Sequence, residues 1–345
     1  MDKLNIRIKN LLKVFVKRVP FPGILFLFPR TLINSRKYRK KYKKIISGQV
    51  SLSDIEVISI EFCSVCNLSC RYCFLEKGER PAFLDTGIYK KLLAEICENR
   101  KYRIKIMEWP ISGCFFLHPE YREIIEITKE YKEKYPHFRP WVILNDNMML
   151  FDKDKVDFIF KTGVVDQIIC SIDGVNKETF EHMRAKADFD LVLANTNYLL
   201  RKRRESQSRI VVQINNGRDE KSAGKMLDPR LKEIFSRADL LTNWEPVNWN
   251  ISFHKEHPRY NTYPFFCSFV LESVSLAVSG AITKCCMDLK EATRYGDFSK
   301  NTLESIWFSE GRRVFLRAMY EGRRHLIPGC DTCSINYVSQ NKFLK

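Results

Sequence analysis

From about residue 55 to residue 248, short apolar runs rich in β-branched and aromatic residues alternate with longer stretches of helical period. The first run, 55–62, reads as a strand; a cysteine-bearing loop and a helix around 86–98 follow it. Further strand-like runs fall at 103–109, 141–145, 167–172 and 209–215, with a sixth candidate at 239–247. Helical patterns lie between them at 119–134, 153–161, 177–204 and, more weakly, up to residue 235. Strand-length runs alternating with crossover-length helices predict parallel strands with right-handed connections. The predicted fold class is therefore α/β, a partial (β/α)6 TIM-like barrel with its chemistry on the loops after the strand C-termini.

Near Asn248 the alternation stops, and aromatic residues, Pro, Gly and Cys become frequent. The expected organisation is a basic amphipathic arm over 1–50, the barrel over 51–248, and a small Cys-rich domain over 249–345. The last of these is expected to stand apart and to be held by ligation, chiefly within 260–337.

Length and composition do not disturb this picture. The chain has 345 residues, 45% hydrophobic and 29% charged, enough for one large α/β domain plus an appendage. The net charge of +17 suggests nucleic acid until it is mapped. Residues 1–44 hold 14 Lys and Arg against one acid, Asp2, so the arm carries +13 and the remainder +4. Nucleic acid is not an expected partner of such a chain, although an RNA-modifying rival would draw on the arm. Within the arm, Leu4, Ile8, Leu11, Leu12 and Phe15 recur at helical spacing among Lys9, Lys13, Lys17 and Arg18. An apolar, proline-broken stretch (19–29) and the run RKYRKKYKK (36–44) follow. This pattern suits either an interfacial segment on an anionic membrane or a helix packed on the main domain with a solvated basic face. No stretch approaches the roughly 20 apolar residues of a span, and no signal peptide is apparent. Location in the cytoplasm, possible association with the inner membrane face included, is the expectation.

Twelve cysteines stand at 63, 66, 70, 73, 97, 114, 170, 267, 285, 286, 330 and 333, several at short spacings. Bunching of this kind favours metal or cluster ligation in a reducing compartment over disulfides. Cys66-x3-Cys70-x2-Cys73 lies on the loop after the first strand. Three close thiolates can hold three irons of a four-iron cube and leave the fourth open. A four-cysteine zinc knuckle that includes Cys63 is the alternative.

The run CNLSCRYC resembles the signature of the radical S-adenosylmethionine enzymes, and the likeness extends over roughly residues 55–337. It implies a [4Fe-4S] cluster on Cys66, Cys70 and Cys73. The open iron would chelate the amino and carboxylate groups of S-adenosyl-L-methionine, and reductive cleavage would yield a 5′-deoxyadenosyl radical that abstracts a substrate hydrogen. It also implies an electron donor such as flavodoxin or ferredoxin, and places Tyr72 near the adenine. The family usually shows a Gly-Gly-Glu-Pro-like turn before Leu-His-Pro. Here Ser112 and Gly113 fall on the glycines and Cys114 on the Glu, so the carboxylate that holds the cofactor's amino group is missing. Glu108 or Glu61 could replace it. Cys114 itself reads either as a small neutral substitution or as a thiol that donates hydrogen, as in radical epimerases. Asn147 falls on the Asn of the family's Thr-Asn-Gly, with Met148 on the Gly; Ser171 and Asp173 fall on its Ser-x-Asp-Gly and would face cofactor or substrate. Arg184 falls where an Arg can bind the cofactor carboxylate, and reads otherwise as a surface residue. Cys170 reads as core.

Cys267, Cys285, Cys286, Cys330 and Cys333 lie in a segment that resembles the SPASM or twitch extension. That implies one auxiliary four-thiolate cluster on Cys267, Cys285, Cys330 and Cys333, with Cys286 as the alternative to Cys285; a zinc site is the other reading. The expected activity is hydrogen abstraction from a small-molecule, sugar or membrane-associated envelope substrate, with epimerisation, dehydrogenation or bond formation as the outcome. A peptide-modifying maturase, and a non-catalytic Fe–S or zinc protein, are the alternatives.

Overall fold

The computed structural model describes residues 38–73, 75, 82–244 and 267–331. Six strands carry the βα pattern: β1 (Val57–Ile60), β2 (Ile106–Trp109), β3 (Trp141–Asp146), β4 (Gln167–Ser171), β5 (Val211–Gly217) and β6 (Leu240–Trp244). They alternate with α1 (Thr86–Glu98), α2 (Tyr121–Lys134), α3 (Lys153–Thr162), the pair α4 (Lys177–Met183) and α5 (Phe189–Glu205), and α6 (Pro229–Arg237). Each strand pairs in parallel with the next. Asp85, Asp152, Asn176, Asp188 and Asp228 cap their helices by accepting backbone N–H bonds in the first turn, which explains where the helical patterns begin.

Alternation along each strand sorts the two faces. Ile58, Ile60, Met107, Trp109, Val142, Leu144, Ile168, Val212 and Ile214 are fully buried in the main core with the helices. The opposite, inner face is graded. At the strand starts it is apolar: Trp141, Val211 and Leu240 pack together with Ile106 and Ile143. Further along it turns polar. Ser59 donates to Glu108 at 2.7 Å, Gln167 to Gln213 at 2.7 Å, and Gln213 to Asn215 at 2.7 Å. The inner face is thus a well with an apolar floor and a polar upper wall, at the strand ends where the barrel pattern places chemistry.

The C-terminal segment does not stand apart as expected. After α7 (Ser268–Glu272), β7 (Ser273–Leu276) pairs in parallel with β1, and β8 (Ala281–Thr283) and β9 (Arg294–Asp297) continue antiparallel. The result is one nine-stranded sheet in the order β6-β5-β4-β3-β2-β1-β7-β8-β9. Sequence patterning could not show this, because β7 reaches β1 across more than 200 residues. Beyond it, α8 (Leu303–Trp307) packs Leu303, Ile306 and Trp307 into the main core, while α7 and α9 (Glu310–Tyr320) form a second core of Val270, Leu271, Phe315, Leu316 and Met319. Arg312 is fully buried there; it donates to Val270 O at 3.1 Å and Trp307 O at 3.3 Å.

The end of the arm joins this second core. Residues 38–46 are helical, and Tyr42 and Ile45 are fully buried against Cys267, Leu271 and Phe315. Lys41 pairs with Glu272 at 3.2 Å and Asp54 at 3.4 Å, while Arg39, Lys40, Lys43 and Lys44 point outward. The packed-helix alternative therefore holds for this part, and the expectation for residues 1–37 lies outside the described residues. No helix among the described residues is long and apolar enough to cross a membrane. Because the apolar face carries the docking, Ile45→Ala should lower the unfolding free energy by about 2–4 kcal/mol in chemical denaturation. Lys43→Ala, on the outer face, should change it by less than about 0.5 kcal/mol.

Candidate functional site

The loop that leaves β1 is clamped from two sides. On the first, Cys114 N donates to Val65 O at 3.0 Å, and Gly113 sits at φ +67 directly beneath the loop. A Cβ on Gly113 would lie 2.3 Å from Cys63 O and 2.7 Å from Val65 O, so the turn after β2 accepts only glycine here. Ser112 Oγ donates to Glu61 Oε1 at 2.5 Å, and Val278 N donates to Glu61 Oε2 at 3.2 Å. Glu61 thus ties β1, the β2 turn and the strand end of β7 together. On the other side, Ser69 N and Arg71 N each donate at 3.0 Å, to Ala185 O and Met183 O at the end of α4.

Between these clamps Cys66, Cys70 and Cys73 line one cavity of about 390 Å³. Leu68 N points to Cys66 Sγ at 3.4 Å and Asn147 Nδ2 at 3.8 Å, while Arg184 Nη1 approaches Cys70 Sγ at 3.9 Å. Donors aimed at sulfur suit thiolates that carry a cluster. Burial pushes the Cys70 thiol up to about 11, against the pull of Arg184, and raises Cys66 likewise. These groups need a cation to become thiolates, which is what iron would provide. Cys63 does not join them: it is fully buried, its thiol faces Phe115 O at 3.9 Å, and burial pushes it up to about 12. With Cys63 turned away from the cavity that Cys66, Cys70 and Cys73 line, the residues fit a three-thiolate open cluster better than the four-cysteine zinc knuckle.

Arg184 is buried beside Asp173, with Nε 2.6 Å from Oδ2, and lines the cavity. It is not the surface residue of the alternative reading. Burial opposes its charge, but Asp173 outweighs this and holds its pKa above the ordinary arginine range. Asp173 is itself fully buried and saturated: Tyr72 OH donates to Oδ2 and Gly217 N donates to Oδ1 at 2.7 Å. The expectation that Asp173 faces cofactor or substrate is corrected, since its oxygens are spent on holding Tyr72 and Arg184 in place. Tyr72, Ser112, Gly113, Asn147 and Ser171 line the cavity.

Cys114 is 2% exposed, and burial raises its thiol far above the usual range. It lies behind the cavity wall, so the expectation of a hydrogen-donating thiol there is corrected. Besides the three loop cysteines, the Cys286 thiol lines the cavity, with Met287 and Leu289 from the C-terminal segment. Cys267 and Cys330 are buried in the second core, and Tyr295 lies within the electrostatic reach of both Cys330 and Cys285. Cys286, in the cavity, is itself within electrostatic reach of both Cys285 and Cys267. Cys333 lies outside the described residues. Cys170 is core, as its strand position predicts.

Two carboxyl groups complete the cavity. Glu108, on the inner face of β2, lies close enough to Cys286 to act on it electrostatically. Burial raises its pKa, and the Ser59 hydrogen bond opposes this. Asp146, at the end of β3, was not singled out by motif; burial pushes it up to about 7. Its signal in the sequence is an acid closing a strand that is otherwise buried.

The Gly113 contact gives a direct test. Gly113→Ala should cut iron and sulfide after reconstitution by about half, one four-iron cluster of two. Gly48→Ala, also at positive φ (+80) but with nothing within 4 Å, should leave the count unchanged.

The family model of the radical SAM superfamily matches residues 60–224, and that of SPASM, an iron–sulfur cluster-binding domain, matches residues 267–334. Similar solved structures include BtrN in complex with AdoMet and 2-DOIA, at 17% identity and TM-score 0.54, covering 81% of this chain and 92% of that one. Streptococcus suis SuiB bound to precursor peptide SuiA matches at 14% identity and TM-score 0.54, covering 90% and 78%. Native anSMEcpe with bound AdoMet matches at 12% and 0.55, covering 76% and 83%. At these identities the likeness shows a shared fold. A search of curated protein sequences finds no match. The chain belongs to the radical SAM superfamily and carries a C-terminal SPASM iron–sulfur cluster-binding domain.

Proposed function

We propose that the chain abstracts a hydrogen atom from a compact polar substrate, a small molecule, sugar or envelope-bound group, held in the well between the cysteine loop and Cys286. Membership of the family brings a [4Fe-4S] cluster, S-adenosylmethionine and an auxiliary iron–sulfur cluster. When bound and reduced, these supply the one-electron chemistry that opens a substrate C–H bond. The observation that carries the reading is the shared cavity: three cysteines of the β1 loop on one wall, Cys286 and Leu289 on the other, Glu108 and Ser171 between.

The protein's own residues hold and orient. Cys66, Cys70 and Cys73 are the proposed ligands of the catalytic cluster, and Cys267, Cys285, Cys330 and Cys333 those of the auxiliary one. Asp173 fixes Arg184 and Tyr72 against the cofactor, with Ser112, Gly113, Asn147 and Ser171 completing its wall. Glu108 and Cys286 face the substrate. The cavity volume of about 390 Å³ lies within the range of small-molecule sites. The basic arm, residues 1–44, is proposed to meet an anionic membrane; the outward Arg39, Lys40, Lys43 and Lys44 support this. A flavodoxin- or ferredoxin-type donor is the proposed electron source.

A second reading, a peptide-modifying maturase, draws on the likeness to SuiB bound to its precursor peptide, which covers 90% of this chain.

Anaerobically reconstituted protein should bind about eight irons, two four-iron clusters, and form 5′-deoxyadenosine from S-adenosylmethionine when reduced. Zinc in place of iron, or a full iron count without cleavage in the presence of candidate sugar and peptide substrates, would overturn the proposal. Cys285→Ala should lower the count to about four irons, whereas Cys286→Ala should keep about eight and change substrate turnover alone. Vesicles of anionic lipid should retain the full chain at low salt and release it at high salt.

A further inference from the structure

Granted the cofactor chemistry above, we propose that Asp146 receives the ammonium group of S-adenosylmethionine, in place of the carboxylate that the family pattern puts at position 114. Asp146 is 4% exposed and lines the same cavity as the three loop cysteines. Its Oδ1 accepts from Met148 N at 2.6 Å. Its Oδ2 is buried and has no hydrogen-bond partner among the described residues, and the cations within electrostatic reach, Lys155 and Arg184, donate no hydrogen bond to it. A buried carboxylate oxygen without a donor is costly. An ammonium group brings three N–H donors and a matching charge; the sulfonium of the same ligand brings no donor.

Position supports the assignment. Asp146 lies within electrostatic reach of Cys66, Cys114 and the core thiol Cys170, which puts it beside position 114 on the cavity side of the core. It comes from β3, next to the β2 strand that leads to Cys114. A glutamate at 114 together with Asp146 would crowd two like charges into that corner; Cys114 with Asp146 leaves one. The other acids are placed differently. Glu61 is outside the cavity wall and holds Ser112 and Val278. Glu108 accepts from Ser59 and stands beside Cys286. Asp173 is saturated by Arg184, Tyr72 and Gly217.

The test is equilibrium binding to the reconstituted, unreduced full chain, with S-adenosylmethionine and its deaminated analogue as the two probes. Wild type should prefer the amine-bearing ligand. Asp146→Asn keeps an acceptor for Met148 N; it should retain its iron and lose that preference by roughly 10- to 100-fold, with affinity for the deaminated analogue unchanged. Cys114→Glu added to Asp146→Asn should restore the preference. An Asp146→Asn variant that leaves the preference intact, or weakens both ligands equally, would overturn the proposal, as would loss of the preference in Glu108→Gln instead. Wild-type protein that binds neither probe would overturn the cofactor chemistry itself, and the proposal with it.

Discussion

Hydrogen bonding along both edges of β1 is the constraint on which the site depends. β1 pairs with β2 on one side and with β7 on the other, from Val57 to Ile60 in register with Ser273 to Leu276. The cysteine loop therefore leaves a strand that cannot shift without breaking two ladders. Glu61, the first residue beyond, extends the tie: its N–H reaches Leu276 O at 2.8 Å and its carboxylate holds Ser112 and Val278. A cluster held by thiolates tolerates little misplacement of its ligands, and the protein meets this by anchoring the loop to both halves of the chain at once.

From that anchor the polar groups divide by task. Asp173, Tyr72 and Arg184 form a closed set in which one buried carboxylate orients an aromatic ring and a guanidinium. Such pairs contribute position more dependably than stability, because taking both charges out of water offsets much of their attraction. Asp146 keeps one carboxyl oxygen without a hydrogen-bond partner at the cavity, and Glu108 lines the same cavity while accepting from Ser59. The graded inner face serves the same division, with apolar packing where nothing binds and hydrogen-bonding side chains where something does.

The sequence made the βα alternation legible because each strand and helix is specified locally, by period and by caps such as Asp85 and Asn176. The cysteine spacing was legible for the same reason: Cys66, Cys70 and Cys73 sit within one loop. The β7–β1 pairing was not, since it joins residues more than 200 apart and leaves no periodic trace. Nor were the positions of Cys114 and Cys286 relative to the cavity. Aligning on a motif says which position a residue takes along the chain, whereas facing the cavity or its back depends on how the turn at Gly113 presses against Val65. Asp173 is a similar case: its motif position is right, but its oxygens are already shared. No motif singles out Asp146.

The packing of Trp141, Val211 and Leu240 at the strand starts gives the well a sealed bottom. A polar ligand finds no partner on that floor and gains hydrogen bonds only along the upper wall, where Glu108, Gln213 and Asn215 stand. The gradient from apolar to polar side chains thus acts as a depth gauge, holding a polar ligand at the strand ends beside the cysteine loop.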